Sequence, residues 1–303
     1  MQLLILMTTD IQTSQKIKPR KSGQNFFQSF ALLAPAGIWL LLLLVLPTLI
    51  IIQLSFVPGI KPGDIVNPTT DFENYRRILD PLYLQVIKRS LLLALGTTAV
   101  CLFLGFPVSF WIARMVPKRW QNLLLLGFIL PLWTSSLLRS YAWITILRPT
   151  GLLNTALAYL NLPTLGLLNS TQAVLIGMSY NLLPYMVLIL YASLEKLDKR
   201  LLEAASDLGA NSIQVFLKVT VPQIFPGIAA ASMLVFITGL GDYINPELLG
   251  GASSMTAARL IYNQFLGAAQ NWGFGSALST VLILIVSLAI AFLIKFGDAT
   301  PER

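Results

Sequence analysis

Long apolar runs alternate with short polar stretches along the whole chain. Six runs, at about 30–56, 88–113, 121–147, 171–193, 224–245 and 275–296, are long enough to be spanning helices. A hydrocarbon core of about 30 Å needs roughly 20 helical residues. The pattern therefore predicts an all-α polytopic membrane protein with six transmembrane helices. A polar loop rich in Pro, Gly and Asp parts the first two runs and is set at 57–87. Within it, FENYRRIL reads as a short interfacial helix. The expected organisation is a tail over 1–28 and one transmembrane domain over 29–300. No internal repeat and no low-complexity segment stands outside the runs.

Composition sharpens this reading. The 303 residues are 55% hydrophobic and only 11% charged, with a mean hydropathy of +0.73. Soluble domains carry roughly a quarter charged residues. The formal net charge of +8 would suit nucleic acid in a soluble chain. Here Lys and Arg cluster at the ends of apolar runs, which suits anionic lipid instead. The chain has no histidine, which removes imidazole metal sites and Ser-His-Asp triads together. Its one cysteine, Cys101, lies inside an apolar run, so it forms no internal disulfide and reads as a small core residue. The opening MQLLILM is too short for a signal peptide, and Met7 is an alternative start.

Orientation follows from the basic residues. With the N-terminus inside, most of them fall on the inner side. They stand in the tail (Lys16, Lys18, Arg20, Lys21), after the second run (Arg114, Lys118, Arg119), in the 194–223 loop (Lys196, Lys199, Arg200, Lys218) and at the C-terminus (Lys295, Arg303). Lys61, Arg76, Arg77, Lys88 and Arg89 fall outside. Both termini and the 194–223 loop are then expected in the cytoplasm.

That loop reads as two short helices. Asp198 is placed to cap the first. Leu201, Ala204, Ala205 and Leu208 recur on one helical face, with Glu203 and Asp207 on another. Gly209 stops the helix as a C′ glycine does. Asn211 or Ser212 caps the second helix, whose stripe is Ile213, Phe216, Leu217 and Thr220, and Pro222 and Pro226 are expected to close it. From the residues alone two readings stay open: a helix pair lying on lipid headgroups, or a docking element whose small residues, Ala204, Ala205, Gly209 and Ala210, admit another protein.

EAASDLGANSIQVFLKVTVP, from Glu203 to Pro222, resembles the EAA motif of permease subunits of bacterial ABC importers. Glu203, Ala204, Ala205, Gly209, Phe216 and Pro222 match in place. Val219 stands where the family often has Ile. The resemblance implies the type I importer permease fold and a coupling helix that inserts into a groove on a separate ATPase dimer. Its contacts would be Glu203, Ala204, Ala205, Asp207, Gly209 and Ala210, with Phe216 and Pro222 completing the motif. No phosphate-binding G-x-x-x-x-G-K-[ST] occurs in the chain. ATP and its magnesium would sit on the ATPase, with no catalytic residue, metal or cofactor on this chain.

PLWTSSLLRSYAW, LEKLDKRLLEAASDLGA, GDYINPELLGG and NWGFGSALS extend the likeness, over most of 88–296, to permeases of spermidine/putrescine importers. Importers of opines, aminophosphonates and ferric iron are similar too. The resemblance implies a bacterial inner-membrane protein, a second, related permease subunit sharing the pathway, and an extracytoplasmic substrate-binding protein. Outer residues near Asp71–Arg77 and Asn245–Ser254 are candidates to meet that protein.

A polyamine needs carboxylates and aromatic faces. Pro131 and Pro184 fall centrally in the third and fourth runs, where broken helices commonly form transport pathways. Around them stand Trp133, Ser135, Tyr180, Asn181 and Tyr185, while Asp242, Tyr243 and Glu247 lie near the outer end of the fifth run. These are candidate pathway residues. Competing readings are core packing for Trp133, Tyr180 and Tyr185, and ion pairs with Arg259 or Arg139 for Asp242 and Glu247. Tyr141, Trp143 and Arg139 read as interfacial anchors, and Gly250 and Gly251 as a turn. A secondary transporter would want mid-membrane carboxylates and a related second half. A membrane enzyme would want a catalytic constellation. The chain offers little for either.

Overall fold

A computed structural model describes residues 22–64, 71–251 and 254–297, and within these all side chains except those of 22–32, 199, 293–294 and 296–297. The expected tail basics Lys16, Lys18, Arg20 and Lys21, the Met7 start and Arg303 lie outside the described residues. By internal contacts the chain divides into two units, Met1–Ile50 and Ile51–Arg303. In the first, helix α1 (Ser22–Ser55) begins and continues into the second. It exposes Leu33, Ile38, Trp39, Leu40 and Leu43 on every side. A helix apolar all round suits lipid.

The second unit continues through α2 (Glu73–Ile78), α3 (Pro81–Arg114), α4 (Lys118–Ile129), a 3-10 turn (Leu130–Trp133) and α5 (Ser136–Leu147). Then follow α6 (Leu152–Tyr159), α7 (Thr171–Glu195), α8 (Lys199–Asp207), α9 (Ser212–Val215), a π-helical turn (Phe216–Thr220) and α10 (Val221–Leu240). Last come α11 (Ile244–Leu249), α12 (Ala257–Phe265) and α13 (Trp272–Gly297). α2 lies where FENYRRIL predicted a helix. Asn74 fixes it by donating to Ser55 O at 2.9 Å, and Arg77 lies over the Phe274 ring at 4.6 Å. The outer loop is shorter than expected, because Asp80 caps α3 through Leu82 N and Pro81 opens the helix there.

Among the described residues, five helices are long and apolar enough to cross a membrane: Leu33–Ser55, Pro81–Arg114, Thr171–Glu195, Ser212–Leu240 and Trp272–Phe292. The third expected span differs from its prediction. It breaks between Trp133 and Ser136, and the two arms, Lys118–Trp133 and Ser136–Tyr159, meet at 93°. Pro131 opens the 3-10 turn, Thr134 turns to an extended backbone (ψ 146°), and Ser135 sits at the N-cap of α5. Pro184, in contrast, leaves α7 continuous. Pro222 and Pro226 do not close the second loop helix either; Ser212–Leu240 runs through both. The π turn just before Pro222 widens the helix where the missing N–H and the bulky ring must be fitted.

The core is a tight packing of α3, α7 and α10. Along α3, Ala94, Thr97, Cys101, Gly105 and Ser109 are buried at spacings of three and then four residues, on one face. Small residues let membrane helices approach closely, where dispersion replaces the missing hydrophobic drive. A Cβ on Gly105 would lie 3.0 Å from Met186 Cγ. Cys101, Leu182, Met186, Leu190, Ala231 and Val235 fill the centre.

Candidate functional site

Two places carry the predicted site residues. The first is a cleft of about 290 Å³ between α5, α7 and the α10–α11 turn. Asn181, Tyr185, Asp242 and Tyr243 line it, joined by Ser136, Arg139 and Asn245. Asp242 stands just past the end of the α10 span and holds the first turn of α11. Its Oδ1 accepts from Ile244 N (2.9 Å) and Asn245 N (3.2 Å), and its Oδ2 accepts from Asn245 Nδ2 (2.5 Å). Burial pushes the Asp242 carboxyl above its usual range, and the bonds from Asn245 and Ile244 pull the other way.

Asn245 is the hub, and sequence reasoning missed it. It is 1% exposed. Its Oδ1 accepts from Ser140 Oγ (3.0 Å) and Asn181 Nδ2 (3.4 Å). Gly177 of α7 leaves it room, since a Cβ there would lie 2.6 Å from that same Oδ1. Asn245, Pro246 and Leu249 are buried, which differs from the outer surface expected of Asn245–Ser254.

The cleft also holds polar atoms with nothing to bond. Arg139 Nε and Nη1 are buried without an acceptor, and so is Asn181 Oδ1 without a donor. Arg139 was expected to anchor at the interface; its place at the start of α5, beyond the break, turns it into the cleft instead. Asn181 is 6% exposed and is one of the residues that line the cleft. A buried polar atom left unpaired costs roughly 1–3 kcal/mol, which favours a ligand that supplies the missing partner.

Four predicted pathway residues lie elsewhere. Trp133 is 79% exposed and Ser135 is exposed too, both at the break before α5. Tyr180 packs edge-on against Trp143 at 5.5 Å and lines a separate apolar groove on α3 and α7. Trp143 thus packs against the core around Leu147 rather than only marking an interface. Glu247 pairs with Arg259 Nε, and the same guanidinium donates to Pro246 O (3.2 Å) and Gly251 O. That pair ties α11 to α12. Gly251, at φ +58°, makes the turn between them.

The second place is the loop between α7 and α10. Asp198 caps α8 through Arg200 N at 3.0 Å. Gly209 ends it at φ +84°, a conformation that costs other residues roughly 1–2 kcal/mol. Asn211 caps α9 in a capping box with Gln214. Glu203, Ala204, Asp207 and Gly209 are exposed, and Ala205 and Ala210 are half-buried. Leu208 is 90% exposed, with Leu201, Ile213 and Leu217 also open. Phe216 turns inward, edge-on to Phe106 at 5.5 Å and Phe110 at 5.9 Å. Pro222 lies at the start of α10.

The described residues form a helical bundle with a broken span, a polar cleft and an exposed, capped helix pair. The sequence matches the family described as binding-protein-dependent transport system inner membrane component over residues 105–296. The chain belongs to that family and is a multi-pass inner-membrane protein, a permease subunit rather than an enzyme. It is 40% identical to the spermidine/putrescine transport system permease protein PotB of Haemophilus influenzae over 254 residues, covering 83% of this chain and 88% of the relative. It shares 40% identity with PotB of Escherichia coli K12, covering 83% and 91%. The inner membrane ABC transporter permease protein YdcU of Escherichia coli K12 is 32% identical, covering 77% and 78%.

Solved structures share the fold. A chain of a bacterial ABC transporter involved in the import of the acidic polysaccharide alginate superposes with a TM-score of 0.71 at 18% identity, covering 92% of this chain and 98% of that one. A chain of the MetNI methionine ABC transporter in an inward-facing conformation gives 0.56 at 15%, covering 76% and 99%.

Proposed function

We propose that this chain is the transmembrane permease subunit of an ATP-driven, binding-protein-dependent importer of polyamines. Its 40% identity to spermidine/putrescine permeases across more than four-fifths of its length carries the reading. The cleft supports it. Asn181 Oδ1 offers a free acceptor, Asp242 a carboxylate, and Tyr185 and Tyr243 aromatic faces. These are the groups an ammonium needs.

The exposed face of α8 supports docking to an ATPase dimer. Leu208 and Leu201 stand open beside Glu203 and Asp207, a patch that gains by being covered. In this reading both termini and the α8–α9 loop are cytoplasmic. ATP and magnesium belong to the ATPase, and this chain binds no cofactor. A second, related permease completes the pathway and an extracytoplasmic binding protein delivers the substrate. Closure of the ATPase dimer draws the two permease loops together and opens the pathway outward. Hydrolysis returns it inward.

One observation favours a different cargo. Arg139 presents buried donors in the same cleft, and an ammonium has no acceptor to give them. An opine or aminophosphonate has one. The deciding experiment is uptake of labelled spermidine and putrescine in cells lacking this chain and in cells with it restored. An opine, an aminophosphonate and ferric iron run alongside. Polyamine uptake should vanish and return with the chain. Loss and return of opine or aminophosphonate uptake alone would replace the polyamine reading with the second one.

A further inference from the structure

We propose that the cytoplasmic third of α3 is the lever by which the α8–α9 loop moves the bundle, with Arg114 and the Phe106–Phe110 pair as positioning residues. The inference rests on the coupling role given to that loop above.

Both roots of the loop grip the same helix. At the entry root, α7 ends at Glu195. Arg114, the last residue of α3, holds that end: Nη2 donates at 3.1 Å to Leu194 O, which also accepts from Leu197 N, and at 3.2 Å to Leu197 O, just past the helix. A cation at a helix C-terminus is also favoured by the helix dipole. The next residue, Asp198, is already the cap of α8. Beside this grip, Tyr191 Oη donates to Gln121 Oε1 at 3.1 Å, and Gln121 Nε2 donates to Val116 O at 2.9 Å. The end of α7 and the α3–α4 turn therefore move together.

At the exit root, Phe216 meets Phe106 and Phe110, one turn apart on α3, with interplanar angles of 88° and 84°. Such edge contacts are directional, and each is worth more than its buried area alone. Phe216 opens the π turn. A π turn holds one residue more per loop than an α turn and is often a functional joint.

Beyond the grips, α3 packs into the core against α7 and α10 through Gly105, Cys101, Thr97 and Ala94. Near its other end Ser90 Oγ accepts from Ala257 N of α12 at 2.7 Å. Arg259 of α12 holds Glu247 and Pro246 O of α11, and α11 carries Asn245, the partner of Asp242. One continuous helix, Pro81–Arg114, thus joins both loop roots to α12 and α11 behind the cleft.

The test is Arg114→Gln in the full complex, reconstituted in proteoliposomes with its ATPase, partner permease and binding protein. Uptake and ATP hydrolysis are measured on the same vesicles. R114Q should assemble and keep ATPase activity stimulated by the loaded binding protein. Substrate moved per ATP should fall about ten-fold, the scale of a coupling between sites. Arg114→Lys keeps one donor to the carbonyls and should restore part of that ratio. An unchanged ratio overturns the lever. So does a fall in uptake and hydrolysis together, in proportion to assembled complex, because that marks a purely structural role. Where R114Q fails to insert, Phe110→Leu carries the same reading. A wild-type chain that binds no ATPase refutes the coupling role itself, which an unchanged ratio alone does not.

Discussion

Gly177→Ala adds one methyl group to the packed interface of α7 and α11, and its effect can be worked from the contacts. The new Cβ would lie 2.6 Å from Asn245 Oδ1 and nearer still to Leu249 Cδ1. Alanine gains about 1 kcal/mol over glycine in a helix interior. Overpacking costs about 1–3 kcal/mol. If Asn245 gives way, its bond to the Asp242 carboxylate goes too, worth about 1.5–3 kcal/mol because one partner is charged. The neutral bonds to Ser140 and Asn181 add about 0.6 kcal/mol each, the average between membrane helices. Where Asn245 moves aside the overpacking is relieved, and the lost bonds outweigh the gain by about 2–3 kcal/mol. The stability loss is read in the thermal midpoint; with Asp242 no longer held by Asn245, half-saturation for uptake should rise as well.

The control is Gly96→Ala in α3. There the nearest atom is the flexible end of Leu175 at 3.4 Å, an ordinary contact. G96A should match or slightly exceed the wild type in stability. The assays are the thermal midpoint of the detergent-solubilised chain and the concentration dependence of uptake. If G177A matches G96A in both, Asn245 is not the hub described here.

Other perturbations separate the two sites. Gly209→Pro removes the left-handed turn at φ +84°; insertion should persist while uptake and co-purification of the ATPase are lost. Normal uptake by inserted protein would exclude α8 as the docking element. Asp242→Asn should lower cation affinity at neutral pH and flatten the acid side of the uptake profile. The sign follows from burial: a carboxyl held above the ordinary 3.8 takes up its proton sooner as pH falls, so uptake by the wild type fades earlier on acidification than an ordinary carboxylate would allow. An identical acid limb in D242N would remove Asp242 from the substrate's path. Glu247→Gln breaks the pair with Arg259 but leaves that guanidinium its bonds to Pro246 O and Gly251 O. It should cost about 1 kcal/mol or less, seen as a lower thermal midpoint, with substrate preference unchanged in competition uptake.

The apolar runs and the caps at Asp198, Gly209 and Asn211 were legible because each is a local matter. Spacing, a side-chain oxygen or a missing Cβ decides it within a few residues. The break before α5 was half legible: Pro131 announced a disturbance, but Ser135 stands at the N-cap without a side-chain bond to mark it. A 93° bend, however, is set by the helices on either side. The hub at Asn245 was hidden because its partners, Ser140 and Asn181, stand 105 and 64 residues away. No period in the sequence joins them. Arg139 was read as an anchor for the same reason: a cation beside Tyr141 and Trp143 suggests an interface, and only the bend turns it into a cleft. Pro222 misled because a proline ends an α-helix unless the turn before it is widened, and a π turn leaves no mark in composition.

The open face of α8 bears on how the chain is made as well as how it works. A leucine left 90% exposed, on a loop that the proposed function places in the cytoplasm, is the kind of mark by which cells recognise unfinished protein. A subunit made in excess of its ATPase would keep that mark uncovered and be cleared; one that finds its partner would hide it. The stoichiometry of the assembly would then be enforced by the same few side chains that couple it.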